Sequence, residues 1–193
     1  MQAAWHSLRA VWRLLRMIVH GLHGLWLVWM TFPRLAPDQR HARIQWWSLK
    51  TLRVLGLDLQ LHGQVRQGAT LIVANHVSWL DIMAMHAVCP HARFVSKAQV
   101  HHWPLIGRLV DAAGTLYIER ERARDAMRVV HQVADALRSG DRIAFFPEGT
   151  TSDGRGLLPF HANLLQAAIS SACPVQAMAI CYADAWEIGR AHV

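Results

Sequence analysis

Cysteine is scarce and carries no pattern: Cys89, Cys173 and Cys181 are the whole complement, an odd number without a C-x-x-C spacing. That excludes a disulfide framework and a cysteine zinc site, and leaves three small core residues of a reducing compartment. Histidine is plentiful, with 13 residues, yet neither H-x-x-x-H nor H-E-x-x-H occurs, and His101 and His102 are adjacent rather than on one helix face. A metal is therefore not expected. No G-x-S-x-G elbow is present, which removes the usual serine hydrolase. Helix-turn-helix, RNP and zinc-finger patterns are missing as well, so nucleic acid is not an expected partner. Acid is in short supply, 13 Asp and Glu against 20 Lys and Arg, for a formal charge of +7. That balance suits an anionic partner such as phospholipid head groups or a phosphorylated substrate. The apolar stretch Met17–Phe32 falls short of the ~20 residues that span a bilayer, and His20, Gly21, His23 and Gly24 weaken it further.

What the chain does have is apolar material, 53% of its residues, and nine tryptophans. Trp is favoured at membrane–water interfaces as well as in cores. Arg9, Arg13 and Arg16 precede the apolar stretch, and Arg34, Arg40 and Arg43 follow it. From Gln39 to Leu55, Ile44, Trp47, Thr51 and Val54 recur at helical spacing, broadened by Trp46, Leu49 and Leu52, with Lys50 and Arg53 adding charge. Trp, Arg and Lys on an amphipathic helix suit the membrane interface. Residues 1–55 are expected to form a helical hairpin that dips into one leaflet. An ordinary core helix pair and a single spanning helix are the alternatives.

Beyond Gly56 the periodicity changes. Leu57–Leu61 alternates strictly, as a half-buried strand does, and Thr70–Ala74 is a short apolar run of buried-strand type. Arg93–Ser96, Thr115–Ile118, Arg142–Phe146 and Val175–Ile180 are further strand candidates. Arg122–Ser139 predicts a helix with Ala126, Met127, Val130, Val133, Ala134 and Leu137 on one face, stopped by Gly140. Strands alternating with helices predict an α/β fold, a mostly parallel or mixed sheet flanked by helices.

Chemistry concentrates where strands end. Asn75, His76, Val77, Ser78, Trp79, Leu80 and Asp81 follow the Thr70–Ala74 run, and ligands of α/β sheets bind at such ends. Ser78 and Asp81 have the spacing of a capping box, so a helix should start there with Asp81 in its first turn. Asp81 could then hold one imidazole nitrogen of His76 while the other faces a substrate hydroxyl: a base and its orienter, as in a serine-hydrolase triad without the serine. In a chain so rich in histidine this spacing alone is weak, and a cap beside a loop histidine is the simpler reading of the segment by itself. Two more segments add to it. Phe145-Phe146-Pro147-Glu148-Gly149-Thr150-Thr151-Ser152 follows a strand and could turn backbone N–H groups to a phosphate. Gly114-Thr115-Leu116-Tyr117-Ile118-Glu119-Arg120 places Arg120 just past another, suited to a bidentate phosphate contact.

In this order the three segments resemble the glycerolipid acyltransferase family that includes the lysophosphatidate (1-acyl-sn-glycerol-3-phosphate) acyltransferases. Its pattern is N-H-x-x-x-x-D, then G-x-x-[FY]-[IV]-x-R, then F-P-E-G-T-[RST]-S, then a short Pro-containing strand, here Cys173–Ile180. Lys97 and Trp103-Pro104-Leu105-Ile106-Gly107 look like the family's linking segment, so the likeness covers roughly residues 57–180. The resemblance implies a catalytic pair, His76 as base and Asp81 as its partner. It implies substrate contacts at Asn75, Ser78, Arg120, Glu148, Gly149 and Thr150. The implied donor is acyl-CoA or acyl carrier protein, without metal or prosthetic group. The implied acceptor is a membrane lysolipid, 1-acylglycerol-3-phosphate giving phosphatidate. Thr151 stands where many lysophosphatidate members carry Arg, leaving Arg155 as a substitute cation, and His161 where Lys is common. Thr150–Gly154 looks more like relatives that acylate lyso-ornithine lipid or lysophosphatidylcholine, which makes such a lysolipid the alternative acceptor. A nonenzymatic membrane-binding module is the distant one.

The expected organisation is therefore membrane-anchoring helices over 1–55, an acyltransferase domain over 56–187, and a tail over 188–193. That tail reads like a translated sequencing adapter on a truncated gene, so the expectation is a domain incomplete at its C-terminus. The expected location is the cytoplasmic face of the cell membrane.

Overall fold

A computed structural model describes residues 2–118 and 123–183; Arg120 and the 188–193 tail lie outside them. Five strands form one parallel sheet, β1 (Thr70–Ala74), β2 (Ala92–Lys97), β3 (Leu116–Ile118), β4 (Arg142–Phe145) and β5 (Val175–Met178), in the order β3-β2-β4-β1-β5. Thr70 pairs with Arg142 and Leu71 with Val175, so β1 and β4 end together and send their loops out on the same side.

Alternate residues of β1 feed two cores. Leu71 joins Ile143, Phe145 and the buried face of α5 (Ala123–Arg138), while Ile72 and Ala74 join Phe94, Ala144, and Met85 and Cys89 at and just beyond the end of α3 (Leu80–Val88). Both faces of the sheet are covered at β1, which is why that strand reads as a nearly unbroken apolar run. Each fully buried aliphatic side chain contributes about 1.5–3 kcal/mol. On α5 the buried face is Val129, Val130, Val133, Ala134 and Leu137. Met127, expected on that face, is exposed: the stripe is centred on Val133, and Met127 falls on its flank.

The expected strand at Leu57–Leu61 is not formed. Its odd residues are the more buried, except exposed Leu61, but no ladder reaches them. The stretch that follows is tied to the β5 edge by one side chain instead. Gln176 accepts from the Arg66 N–H at 2.9 Å and donates to the Gln64 carbonyl at 2.8 Å. Alternation recorded half-burial, not strand pairing.

The N-terminal region is an antiparallel hairpin of α1 (Gln2–Trp26) and α2 (Pro37–Leu55), turned by a π-helical segment, Leu27–Thr31, and a 3-10 turn, Phe32–Arg34. Gly24 packs on Trp47, and a Cβ there would meet the indole nitrogen at 2.7 Å. One turn away buried His20 stacks on Trp47 (4.8 Å between ring centroids) and bonds Thr51 Oγ1 at 3.1 Å. The opposite face of α1 is uncovered: Leu8, Val11, Trp12, Leu15, Ile18, Val19, Leu22 and Trp26 form an exposed stripe at helical spacing. Among the described residues no helix is long and apolar enough to cross a membrane.

Candidate active site

The loop between β1 and α3 carries His76, and the first turn of α3 carries Asp81. Asp81 has no exposed surface and accepts four hydrogen bonds. Oδ2 takes the Val77 N–H at 2.7 Å, the Ser78 N–H at 2.9 Å and His76 Nδ1 at 2.8 Å. Oδ1 takes the Tyr182 hydroxyl at 2.6 Å. Burial pushes the Asp81 carboxyl up, but the bonds from His76, Tyr182, Ser78 and Val77 outweigh it and hold the group below the ordinary carboxylate range. Tyr182 is raised by burial and by its bond to that carboxylate, so it stays a donor. An ionised carboxylate only accepts, so the Nδ1 of His76 must carry a proton, and in the neutral ring the lone pair then lies on Nε2.

The ring is held from its other sides by the loop after β4. Phe146 stacks on it at 3.9 Å between centroids and 10° between planes. The His76 N–H donates to Glu148 Oε1 at 2.7 Å, and the His76 carbonyl accepts from the Ser152 N–H at 2.8 Å. Glu148 is buried and gives its second oxygen to the Leu158 N–H at 2.9 Å. Gly149 completes the turn in the left-handed region, φ +69°, where a side chain would be strained.

His76 also lines an apolar cavity of about 450 Å³ whose walls include Leu27 and Trp47 of the hairpin and Ile82, Met83 and His86 of α3. His86 is held down to about 4 by burial, then by His41, so this wall is uncharged at neutral pH. A second cavity of about 260 Å³ is lined by Phe146, the ring stacked on His76, with Pro147, His161 and Asn163. A base with a free lone pair on the wall of an apolar cavity can take a proton from a hydroxyl presented there.

The expected residues thus separate into groups. His76 and Asp81 are brought together, a pairing that their spacing allowed and the resemblance implied. Ser78 lies just ahead of α3, its Oγ accepting from the Leu80 N–H at 3.3 Å, while the N-cap is Trp79 and makes no side-chain capping bond. Asn75 extends the β1–β5 pairing with two bonds to Ile180, 2.9 and 2.7 Å. Glu148, expected on a head group, turns its carboxylate inward to backbone amides, while Thr150 and Thr151 are exposed in the same loop. Arg120 lies outside the described residues. Sequence reasoning missed Tyr182 and Phe146. Tyr182 lies just past the last strand, far along the chain from Asp81, with no local pattern to mark it. Phe146 read as a strand end and the first residue of the F-P-E-G-T motif, with no role assigned to its ring.

Residues 58–181 match the family described as Acyltransferase. Over 130 residues the chain is 42% identical to the 1-acyl-sn-glycerol-3-phosphate acyltransferase of Neisseria gonorrhoeae, covering 67% of this chain and 51% of that protein. It is 36% identical over 175 residues to the lyso-ornithine lipid O-acyltransferase of Pseudomonas aeruginosa, covering 88% of this chain and 66% of that one. The chain thus spans between half and two thirds of these relatives' length. In structure it resembles the crystal structure of the 1-acyl-sn-glycerophosphate (LPA) acyltransferase from Thermotoga maritima, with a TM-score of 0.70 and 20% identity over 91% of this chain and 73% of that one. With the family match running over most of the chain and taking in the His76–Asp81 pair and the Glu148 loop, this chain belongs to the Acyltransferase family.

Proposed function

We propose that this chain moves a fatty acyl group from a thioester, acyl-CoA or acyl carrier protein, to the free hydroxyl of a lysophospholipid. The observation that carries the reading is a histidine whose Nδ1 is locked by a buried carboxylate and whose ring lines a large apolar cavity. His76 Nε2 takes the proton of the acceptor hydroxyl as its oxygen attacks the thioester carbonyl. The tetrahedral intermediate then collapses, the C–S bond breaks, and His76 returns the proton to the departing sulfur. General-base catalysis of this kind is worth about 10²–10⁴-fold. Asp81 keeps the imidazole in its working tautomer and stabilises the imidazolium. A thioester carbonyl is activated already, so the reaction needs no metal or prosthetic group.

The apolar cavity suits an acyl chain, and the exposed Thr150 with Gly149 suits the acceptor's head group, to which the resemblance adds Arg120. Glu148 acts as a positioning residue for His76. The first acceptor is 1-acylglycerol-3-phosphate, giving phosphatidate. Thr151, exposed where many lysophosphatidate members carry Arg, together with the Pseudomonas relative, favours lyso-ornithine lipid as the second.

The exposed stripe of α1 supports a monotopic anchor that docks the site on the leaflet. Extracting a lysolipid into water would cost about 0.8 kcal/mol per CH₂, and docking avoids that. The cytoplasmic face of the cell membrane, where both donors occur, is the place this reading assigns. The test is to incubate the full chain and its His76→Ala variant with labelled acyl-CoA and a panel of lysolipids, and to identify the product. Wild type should acylate one acceptor class and folded His76→Ala none. Equal turnover by both would end the mechanism, and no turnover by either would favour a nonenzymatic membrane-binding module.

A further inference from the structure

At the end of the sheet opposite His76, three side chains with metal-ligating donors meet. Asp38 lies in the first turn of α2, His41 one turn further on, and His91 in the turn that leads into β2. One carboxylate oxygen and two imidazole nitrogens, one donor from each residue, all lie within 4.8 Å of one another. The two rings are 4.2 Å apart between centroids, inclined at 53°. Nδ1 of His41 is sealed from solvent and has no hydrogen-bond partner, a buried polar atom left unmet. The register of α2 here is set by a bond one turn on, from Gln45 Nε2 to the Ala87 carbonyl at 2.9 Å.

The chemistry of the set narrows the ion. Two imidazoles and one carboxylate match Zn²⁺, Co²⁺ or Ni²⁺, whereas Mg²⁺ and Ca²⁺ take oxygen ligands. Bonds of about 2.0–2.2 Å place tetrahedral ligands roughly 3.4 Å apart. The donors must therefore draw in by about an ångström, which rotation of the exposed Asp38 and His91 side chains supplies. The neighbouring charges are opposed: Arg142 and Asp141 both act on His41. Arg142 is turned to Gln67 and Gly68, and Asp141 is paired with Arg93.

We propose that Asp38, His41 and His91 bind a divalent transition metal of the zinc class, stapling α2 of the hairpin to the turn before β2. Asp38 and His91 leave the remaining coordination positions open to water. The ion lies at the far end of the sheet from His76 and is structural: it ties the hairpin that walls the apolar cavity to the sheet that carries the base.

The test uses the full chain without an affinity tag, in detergent micelles, stripped with chelator and titrated with Zn²⁺ and, for its absorption spectrum, Co²⁺. Wild type should bind one saturable equivalent with an imidazole-type Co²⁺ spectrum, and Zn²⁺ should raise the melting temperature. His91→Ala and Asp38→Asn change exposed residues and leave packing intact. Each should weaken binding by about tenfold or more and remove the thermal shift, while His102→Ala, a histidine outside the cluster, should change neither. No saturable binding by wild type, or equal affinity in wild type and His91→Ala, would overturn the site. Loss in His102→Ala as large as in His91→Ala would do the same, because it would mark diffuse binding to surface histidines.

Discussion

Asp81→Asn puts the most weight on a single atom pair. All four partners of Asp81 donate: His76 Nδ1, the Val77 and Ser78 amides, and the Tyr182 hydroxyl. An asparagine offers one acceptor oxygen and one NH₂ donor, so it cannot satisfy all four. If its oxygen stays where Oδ2 is, the NH₂ faces Tyr182, whose hydroxyl can rotate to accept. If the NH₂ faces His76 instead, Nδ1 must become the acceptor, the proton moves to Nε2, and the base is lost. The opposed donors and the lost charge-assisted bonds cost about 1–3 kcal/mol of stability. The tautomer switch costs about 10²–10⁴-fold in kcat, by analogy with the orienting carboxylate of serine proteases. The substitution also changes the acid limb of stability. Because the carboxyl is held below its ordinary 3.8, its contribution is fully present above that value. It is lost as pH falls through the lower folded-state value, so the variant should unfold less steeply with acid. The assay is release of the donor thiol in the presence of lysolipid, paired with denaturant melts from neutral pH into this acid window. A folded Asp81→Asn protein with kcat within about threefold of wild type would refute the reasoning, since an effect that small leaves no room for a tautomer lock.

Glu148→Gln should lower kcat and cost about 1–3 kcal/mol while leaving the acceptor KM nearly unchanged, because its oxygens serve the His76 and Leu158 amides; a large rise in acceptor KM alone would return Glu148 to the head group. Gly24→Val sets a side chain against the Trp47 indole and should cost about 1–3 kcal/mol. By narrowing the cavity it should also reduce turnover of long-chain donors more than short ones, and an unchanged chain-length profile would place the acyl chain elsewhere. For the anchor, single cysteines at Ala4 and Ala42, in a background lacking Cys89, Cys173 and Cys181, should both escape an impermeant thiol reagent added to intact cells. Labelling of Ala4→Cys alone would mean a spanning helix.

By itself the sequence determined what depends on residues a few positions apart. The β1 and β4 runs, the α5 stripe and its stop at Gly140 are patterns of neighbouring side chains, and they formed where expected but for Met127 on the flank of the stripe. The His76–Asp81 spacing allowed a contact but did not single it out. The order of the three motifs and the family resemblance did, and the short path from strand end to first helical turn let the two meet. Only the tertiary structure decided which distant groups became partners. Tyr182 reached Asp81, Glu148 turned from a presumed ligand contact to the His76 amide, and the alternating Leu57–Leu61 stretch was left outside the sheet. The cluster of Asp38, His41 and His91 has the same origin: no spacing along the chain announces a site whose ligands come from α2 and from the turn before β2. The physical reason is that periodicity records only which side of an element faces inward. What waits there is chosen by how the elements stack, through contacts whose sequence separation no local pattern carries.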